Sequence, residues 1–306
     1  MTRVALAQAA PVYLDLAPSL EKALGLMEEA ARGGASLLAF GETWLPGYPA
    51  WLDHCPGAGL WDSAPVKEVF SRLRRNSVSV EGPEVTRLAE AAADLRLTVV
   101  IGVNERVDRG PGMGTLYNSL LTFTPDGGLA NHHRKLMPTY TERLVWGPGD
   151  GAGLRAVDTP AGRVGGLVCW EHWMPFARQA LHESGEDLHV AVWPTVHEHH
   201  QLASRHYALE GRCFVLAVGL LMPAADLPQE LEAPGVEGLV LRGGSAIYGP
   251  RGNAVLEPVF GQEGLRYADL DLAELDRERM TLDVAGHYAR PDVFEFRVSA
   301  SRPGTP

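Results

Sequence analysis

Cysteine is scarce in this chain: Cys55, Cys169 and Cys213 are the only three among 306 residues, far apart and in no metal-like spacing. So few thiols, odd in number, build neither a disulfide framework nor a zinc site, and a reducing cytoplasm is the expected compartment. Long apolar runs are also missing. No stretch approaches the length of a membrane span, and the opening MTRVALAQAAPVYLD lacks the apolar core of a signal peptide. Basic residues are in deficit, 27 Lys and Arg against 38 Asp and Glu, which leaves a net charge of −11. That balance argues against a nucleic-acid surface, and the cluster Arg72, Arg74, Arg75 reads as a solvated helix face. What is present is globular: 45% apolar and 21% charged residues, too little charge for disorder. The expectation is a soluble, acidic protein with no membrane and no nucleic-acid partner.

Strand-like and helix-like segments alternate from the first residues. Residues 3–9 read as a buried strand. Residues 18–32 carry apolar positions at helical spacing (Leu20, Leu24, Met27, Ala31), with Pro18 suited to a first turn and Gly33-Gly34 to a stop. A short strand over 36–40, helices near 65–77 and 84–95, and a strand over 97–103 follow. Residues 117–123 and 129–135 pattern as a hairpin around Thr-Pro-Asp-Gly-Gly. Strands at 155–159, 165–169, 188–193 and 214–219 are interleaved with helices from about Met174 and over 200–212. The last third adds strands near 244–248, 254–258 and 265–271. This mixed order predicts an α/β protein with sheets covered by helices, not an alternating parallel barrel. No repeat, low-complexity tract or clean linker interrupts it, so residues 1–306 are expected to form one domain.

The stretch GGLVCWEHWMPFARQAL places Cys169 where a predicted strand meets a predicted helix. Two readings stand. Free cysteine is often core filling, but a thiol at a helix start faces unpaired N–H groups and the positive dipole end, which favour thiolate and an oxyanion. His172 reads as a polar residue of the helix surface and Glu171 as a carboxylate welcome in a first turn. Glu42 follows an apolar strand in LLAFGETWLPGYP, either solvated or catalytic. Lys135 closes a strand in NHHRKLMPTYTERLVWGPGDG, either an ordinary cation or a stabiliser of developing charge, with Glu142 in the loop beyond. Other features carry less. The HEHH run with His197, His199 and His200 lacks helical ligand spacing and a distant third ligand, so no metal is expected. GPGDGAG has no Gly-Lys-Ser/Thr after it and is no phosphate loop. The residues alone do not assemble these groups into one site.

Taken together, the motifs resemble the nitrilase superfamily, the carbon-nitrogen hydrolases, and within it the nitrilase branch. GETWLPGYP is similar to the family's glutamate block, HHRKLMPTYTERLVWGPGDG to its lysine block and GGLVCWEHWMPFARQAL to its nucleophile block. GTLYNSLLTFTPDG, SRHYALEGRCFVLA, GGSAIYGPRGN and GHYARPDVFEF follow the same order along nearly the whole chain. The resemblance implies a four-layer α-β-β-α sandwich whose subunits pair into an extended dimer. It implies Cys169 as nucleophile, Glu42 as base, Lys135 as charge stabiliser and Glu142 as supporting carboxylate, with no metal or organic cofactor. It implies a nitrile as small-molecule substrate, converted to acid and ammonia; the alternatives are an amidase or carbamoylase, or a hydratase that stops at the amide. Trp44, Tyr48, Tyr140, Trp170, His172 and Trp173 are the expected substrate-binding residues, and their rings favour aryl or arylalkyl nitriles. His172 stands where many members carry Asn. The short segment after Phe296 leads to the expectation of a dimer or modest homo-oligomer without long spirals.

Overall fold

The computed structural model describes residues 1–302. In the first sheet β1 (Thr2–Gln8), β2 (Leu37–Phe40) and β3 (Thr98–Arg106) run parallel, and β4 (Leu116–Phe123) and β5 (Leu129–Arg134) extend it antiparallel. The second sheet contains β6 (Val157–Thr159), β7 (Gly162–Val168), β8 (Leu188–Trp193), β9 (Phe214–Gly219), β10 (Leu221–Pro223), β11 (Leu239–Tyr248) and β12 (Ala254–Phe260). Its β7, β8 and β9 are parallel, while β6 and β11 flank them antiparallel. The chain then returns to the first sheet, where β13 (Gly264–Leu270) pairs with β1 over its whole length.

Period-two alternation explains how these strands bury both faces. In β1, Ala5 and Ala7 join one core while Val4 and Leu6 join the other. In β2, Leu38 and Phe40 face the first core, Leu37 and Ala39 the second. The first core is closed by α1 (Leu16–Arg32), the single turn α2 (Trp51–His54), α3 (Ala64–Arg75) and α4 (Pro83–Asp94). The second core lies between the sheets and extends to α5 (Pro175–Glu183), α6 (Glu198–Gly211) and α7 (Ala273–Arg279). This is the expected α-β-β-α sandwich. No helix among the described residues is long and apolar enough to cross a membrane.

Differences from the sequence reading are local. β3 continues to Arg106 because β4 pairs with it to that residue. The helix expected near Met174 begins at Pro175, and Cys169–Trp173 form a separate 3₁₀ turn between strand and helix. The elements α2, β10 and α7 are too short to show a period.

Candidate active site

Three strand ends present the candidate residues. Glu42 follows β2 in a turn that folds down on β3. A Cβ at Gly102 would lie 2.4 Å from both Gly41 O and Thr43 N, so the turn needs glycine beneath it. Lys135 comes one residue after β5, its backbone N–H donating to Asn118 O at 2.8 Å. The loop 147–150 crosses over it: Gly149 N–H donates to Lys135 O at 2.8 Å, and a Cβ there would stand 2.3 Å from Arg134 O. The glycines of GPGDG therefore serve close packing. Cys169 opens the 3₁₀ turn after β7 at φ 54°, a left-handed conformation that costs a non-glycine residue free energy and turns the thiol off the strand line.

These ends, with the 3₁₀ turn Tyr140–Leu144 that carries Glu142, bring Glu42, Lys135, Glu142 and Cys169 together. Ligand atoms of Glu42, Glu142 and Cys169 lie within 4.8 Å of one another. Lys135 Nζ bridges the carboxylates, 3.0 Å from Glu42 Oε1 and 2.6 Å from Glu142 Oε2. An ammonium thus already stands where a cation between these carboxylates would sit. Glu142 also accepts from Tyr48 OH at 2.9 Å and Thr139 N–H at 2.7 Å. Asn118 Nδ2 donates to Glu42 Oε1 at 2.7 Å. Glu42 Oε2 is buried with no partner among the described residues. It is an open acceptor in a low-dielectric site.

Burial lifts the Glu42 carboxyl to about 7, against the pull of the Lys135 ammonium and with the push of Glu142. Burial opposes the Lys135 charge, yet Glu42 first, then Cys169 in its ionised form and Glu142, outweigh it and raise the ammonium's pKa. Burial, then the Glu42 charge, pushes the Cys169 thiol well above its usual range. From the sequence, the turn's N–H groups are read as favouring thiolate. The Trp170 N–H does act in that direction, but desolvation is larger. The thiol needs an acceptor for its proton, and the Glu42 carboxyl stands beside it.

A cavity of about 900 Å³ opens over the cluster and is lined by Cys169 and Glu142 together with Tyr48, Tyr140, Trp170 and Trp173. Two expected substrate-binding residues are elsewhere. Trp44 is fully buried in the first core, its Nε1–H donating to Ala9 O at 2.9 Å and its ring 5.0 Å from Phe40. Its place in the pattern after Glu42 gave no sign of this, because the turn reverses the chain. His172 is no helix-surface residue and does not line the cavity: it is buried behind the Cys169 turn, stacked on Trp193 at 4.7 Å. Of the HEHH run, His200 stacks on Trp193 at 4.4 Å and lines the cavity with His197. Among the described residues these histidines form no metal-ligand cluster.

Sequence reasoning missed Asn118 and the work of Glu171. An Asn inside β4 is out of keeping with strand propensity, which is the one signal it offered. Glu171 is buried and accepts from Leu136 N–H and Val168 N–H, both at 2.7 Å, and from His133 Nε2 at 2.9 Å. It ties the backbone just after Lys135 to the backbone just before Cys169. Burial works against its charge, but His133 and the two backbone donors hold its pKa below the usual carboxylate value. Glu171→Gln replaces one acceptor oxygen by a donor facing an N–H. Each charged hydrogen bond of this kind contributes about 1.5–3 kcal/mol, so chemical denaturation is expected to show a loss of that size. Turnover should fall as the two ends separate.

The described geometry is that of a cysteine-dependent hydrolase on a four-layer sandwich, and residues 3–279 match the carbon-nitrogen hydrolase family. The chain belongs to that family. It is 43% identical to Nitrilase 2 from an unknown prokaryotic organism, over 96% of this chain and 91% of the relative. It is 41% identical to the aliphatic nitrilase of Sinorhizobium fredii, over 97% and 95% respectively. The carbon-nitrogen hydrolase of Helicobacter pylori G27 has the same fold, with a TM-score of 0.72 over 92% of each chain at 19% identity.

Proposed function

We propose that this protein hydrolyses organic nitriles to carboxylic acids and ammonia. The observation that carries the reading is the buried Cys169 thiol within 4.8 Å of Glu42 and Glu142 carboxylates, with Lys135 between them, under an open cavity. The nitrilase names of relatives at about 40% identity over nearly the full chain support it. Glu42 takes the thiol proton as Cys169 sulfur attacks the nitrile carbon, and the proton passes to nitrogen to give a thioimidate. Water adds to that carbon, the nitrogen leaves as ammonia, and a thioester remains. A second water releases the acid and regenerates the thiol. Lys135 and the Trp170 N–H stabilise charge on the atoms attached to the reacting carbon. Glu142 holds Lys135 and lines the cavity.

Glu42 can accept the thiol proton only as a carboxylate, and its pKa is lifted to about 7. The expected kcat/KM therefore rises with pH along an acid limb below about pH 7; a flat profile between about pH 5 and 6.5 would remove Glu42 as the base.

For substrate, we propose aryl or arylalkyl nitriles, since Tyr140, Trp170 and Trp173 offer ring faces at the cavity mouth. The aliphatic relative favours the second reading, an aliphatic nitrile. The test is turnover of benzonitrile, phenylacetonitrile and butyronitrile with the matching amides, with acid, amide and ammonia quantified. Acid and ammonia from nitriles support the hydrolysis; amide as sole product assigns a hydratase, and turnover of amides alone an amidase. A kcat/KM for butyronitrile above both aryl substrates overturns the aryl preference. We also propose a homo-oligomer, because Phe176 on α5 and Leu202 on α6 are 76% and 66% exposed on the outer layer; sedimentation velocity decides it.

A further inference from the structure

A row of buried polar groups, outside the cavity lining and unused by the chemistry above, runs up to the Cys169 turn. His172 Nδ1 lies 2.7 Å from the Cys169 carbonyl oxygen, and His172 Nε2 lies 3.0 Å from His189 Nε2. His189 Nδ1 lies 2.8 Å from Glu186 Oε2. All three side chains are at most 2% exposed, so no solvent relaxes their hydrogen bonding.

Proton counting gives this row a direction. A carbonyl oxygen only accepts, so His172 Nδ1 must carry hydrogen. A neutral His172 then has a bare Nε2, and His189 Nε2 must donate to it. A neutral His189 is left with a bare Nδ1, and Glu186 must donate from a protonated carboxyl. Three contacts need three protons, and two neutral imidazoles supply two.

We propose that His172 is a positioning residue that clamps the left-handed Cys169 turn through the cysteine's own carbonyl, as the last member of a one-way Glu186–His189–His172 chain that holds only while the chain keeps its third proton. The inference rests on Cys169 as the nucleophile of the proposed function. When the third proton is lost, Glu186 accepts from His189 Nδ1, and either the His189–His172 contact or the His172–Cys169 contact is left with two facing lone pairs. The turn at φ 54° then loses a restraint.

The surroundings place the third proton on Glu186. Burial holds His172 at about 3, with His189 adding to it, and burial takes His189 well below its usual range. Burial lifts Glu186 to about 7, against the lowering effect of His182, Tyr207 and Arg279 and with the push of Asp187. Around Glu186, Tyr207 OH of α6 donates to Oε1, His182 Nδ1 of α5 lies 3.7 Å from the same oxygen, and Arg279 of α7 donates to the backbone carbonyl. Burial pushes the thiol of Cys213, before β9, well above its usual range, and the Glu186 charge adds to it. Facing His172 are Trp193 and His189 of β8, Tyr207 and His200 of α6, and Arg178 of α5, which donates to the His172 carbonyl. None of these supplies a replacement donor to the Cys169 carbonyl.

The test combines ¹⁵N-histidine NMR with pH profiles of the full chain. Below pH 7 the expected spectrum has a protonated Nδ1 and a bare Nε2 on His172, assigned by loss of the signals in His172→Asn. Glu186→Gln donates to His189 and accepts from Tyr207 at every pH. The ratio of its kcat to that of the wild type is expected to rise about tenfold from about pH 6 to 9, the cost of one hydrogen bond at the nucleophile. His172→Phe should lose about tenfold or more in kcat with KM little changed, and His172→Asn, which keeps a donor, should recover part of it. A bare Nδ1 on His172 at pH 6.5 overturns the proposal, as does a Glu186→Gln alkaline limb superimposable on the wild type. The NMR result needs no turnover, so it decides the chain even if no nitrile is hydrolysed.

Discussion

Cys169→Ser is expected to lower nitrile turnover by about 10⁴-fold or more while the fold persists. The substitution nearly preserves volume at a side chain that is 4% exposed, so packing changes little. What changes is acidity and nucleophilicity. Even the thiol is pushed well above its usual range by burial and by the Glu42 charge, and its proton leaves only because Glu42 is lifted to about 7. A hydroxyl is a far weaker acid, and the same carboxylate cannot deprotonate it at a useful rate. Intact-protein mass spectrometry during turnover checks this: the wild type should gain the mass of an acyl or imidoyl adduct, and Cys169→Ser should gain none. Turnover within tenfold of the wild type would sink the covalent route.

Lys135→Met is expected to be costly in two separable ways. The ammonium is 1% exposed and lies within hydrogen-bond distance of both Glu42 and Glu142. Its removal leaves two carboxylates buried without a cation, a loss of about 3–5 kcal/mol for a broken buried pair. It also removes a preorganised positive charge from the reacting centre, an effect of about 10²–10³ in kcat for one such donor. A double variant separates them. Lys135→Met with Glu142→Gln removes one of the two orphaned charges, so denaturation should show part of the stability restored while turnover stays lost. If restoring stability restores turnover as well, Lys135 acts through the fold alone.

The Glu42 and Cys169 segments could be located in the sequence because each follows an apolar run, and the Lys135 segment because it closes the second strand of a hairpin pattern. The roles assigned to them needed the resemblance, since no spacing along the chain says that residues 42, 135 and 169 meet. Trp44 shows the opposite case. It is two residues from Glu42 and looked like cavity lining, yet the turn held down on Gly102 sends its indole into the core. Glu171 and His172 looked like the polar first turn of a helix. In the structure the chain makes a 3₁₀ turn there, and both side chains point into protein, one bracing two backbones and one under the nucleophile's carbonyl.

The sequence by itself determined the α/β class, the alternation that gives each central strand two buried faces, and the scarcity of thiols that makes Cys169 stand out. Those are properties of local period and composition, and a short window contains them. The tertiary structure alone decided the protonation logic. Glu42, Glu186, His172 and Cys169 owe their shifted acidities first to desolvation. Burial depends on which strands from distant parts of the chain pack overhead, and no residue's own neighbours in sequence specify that.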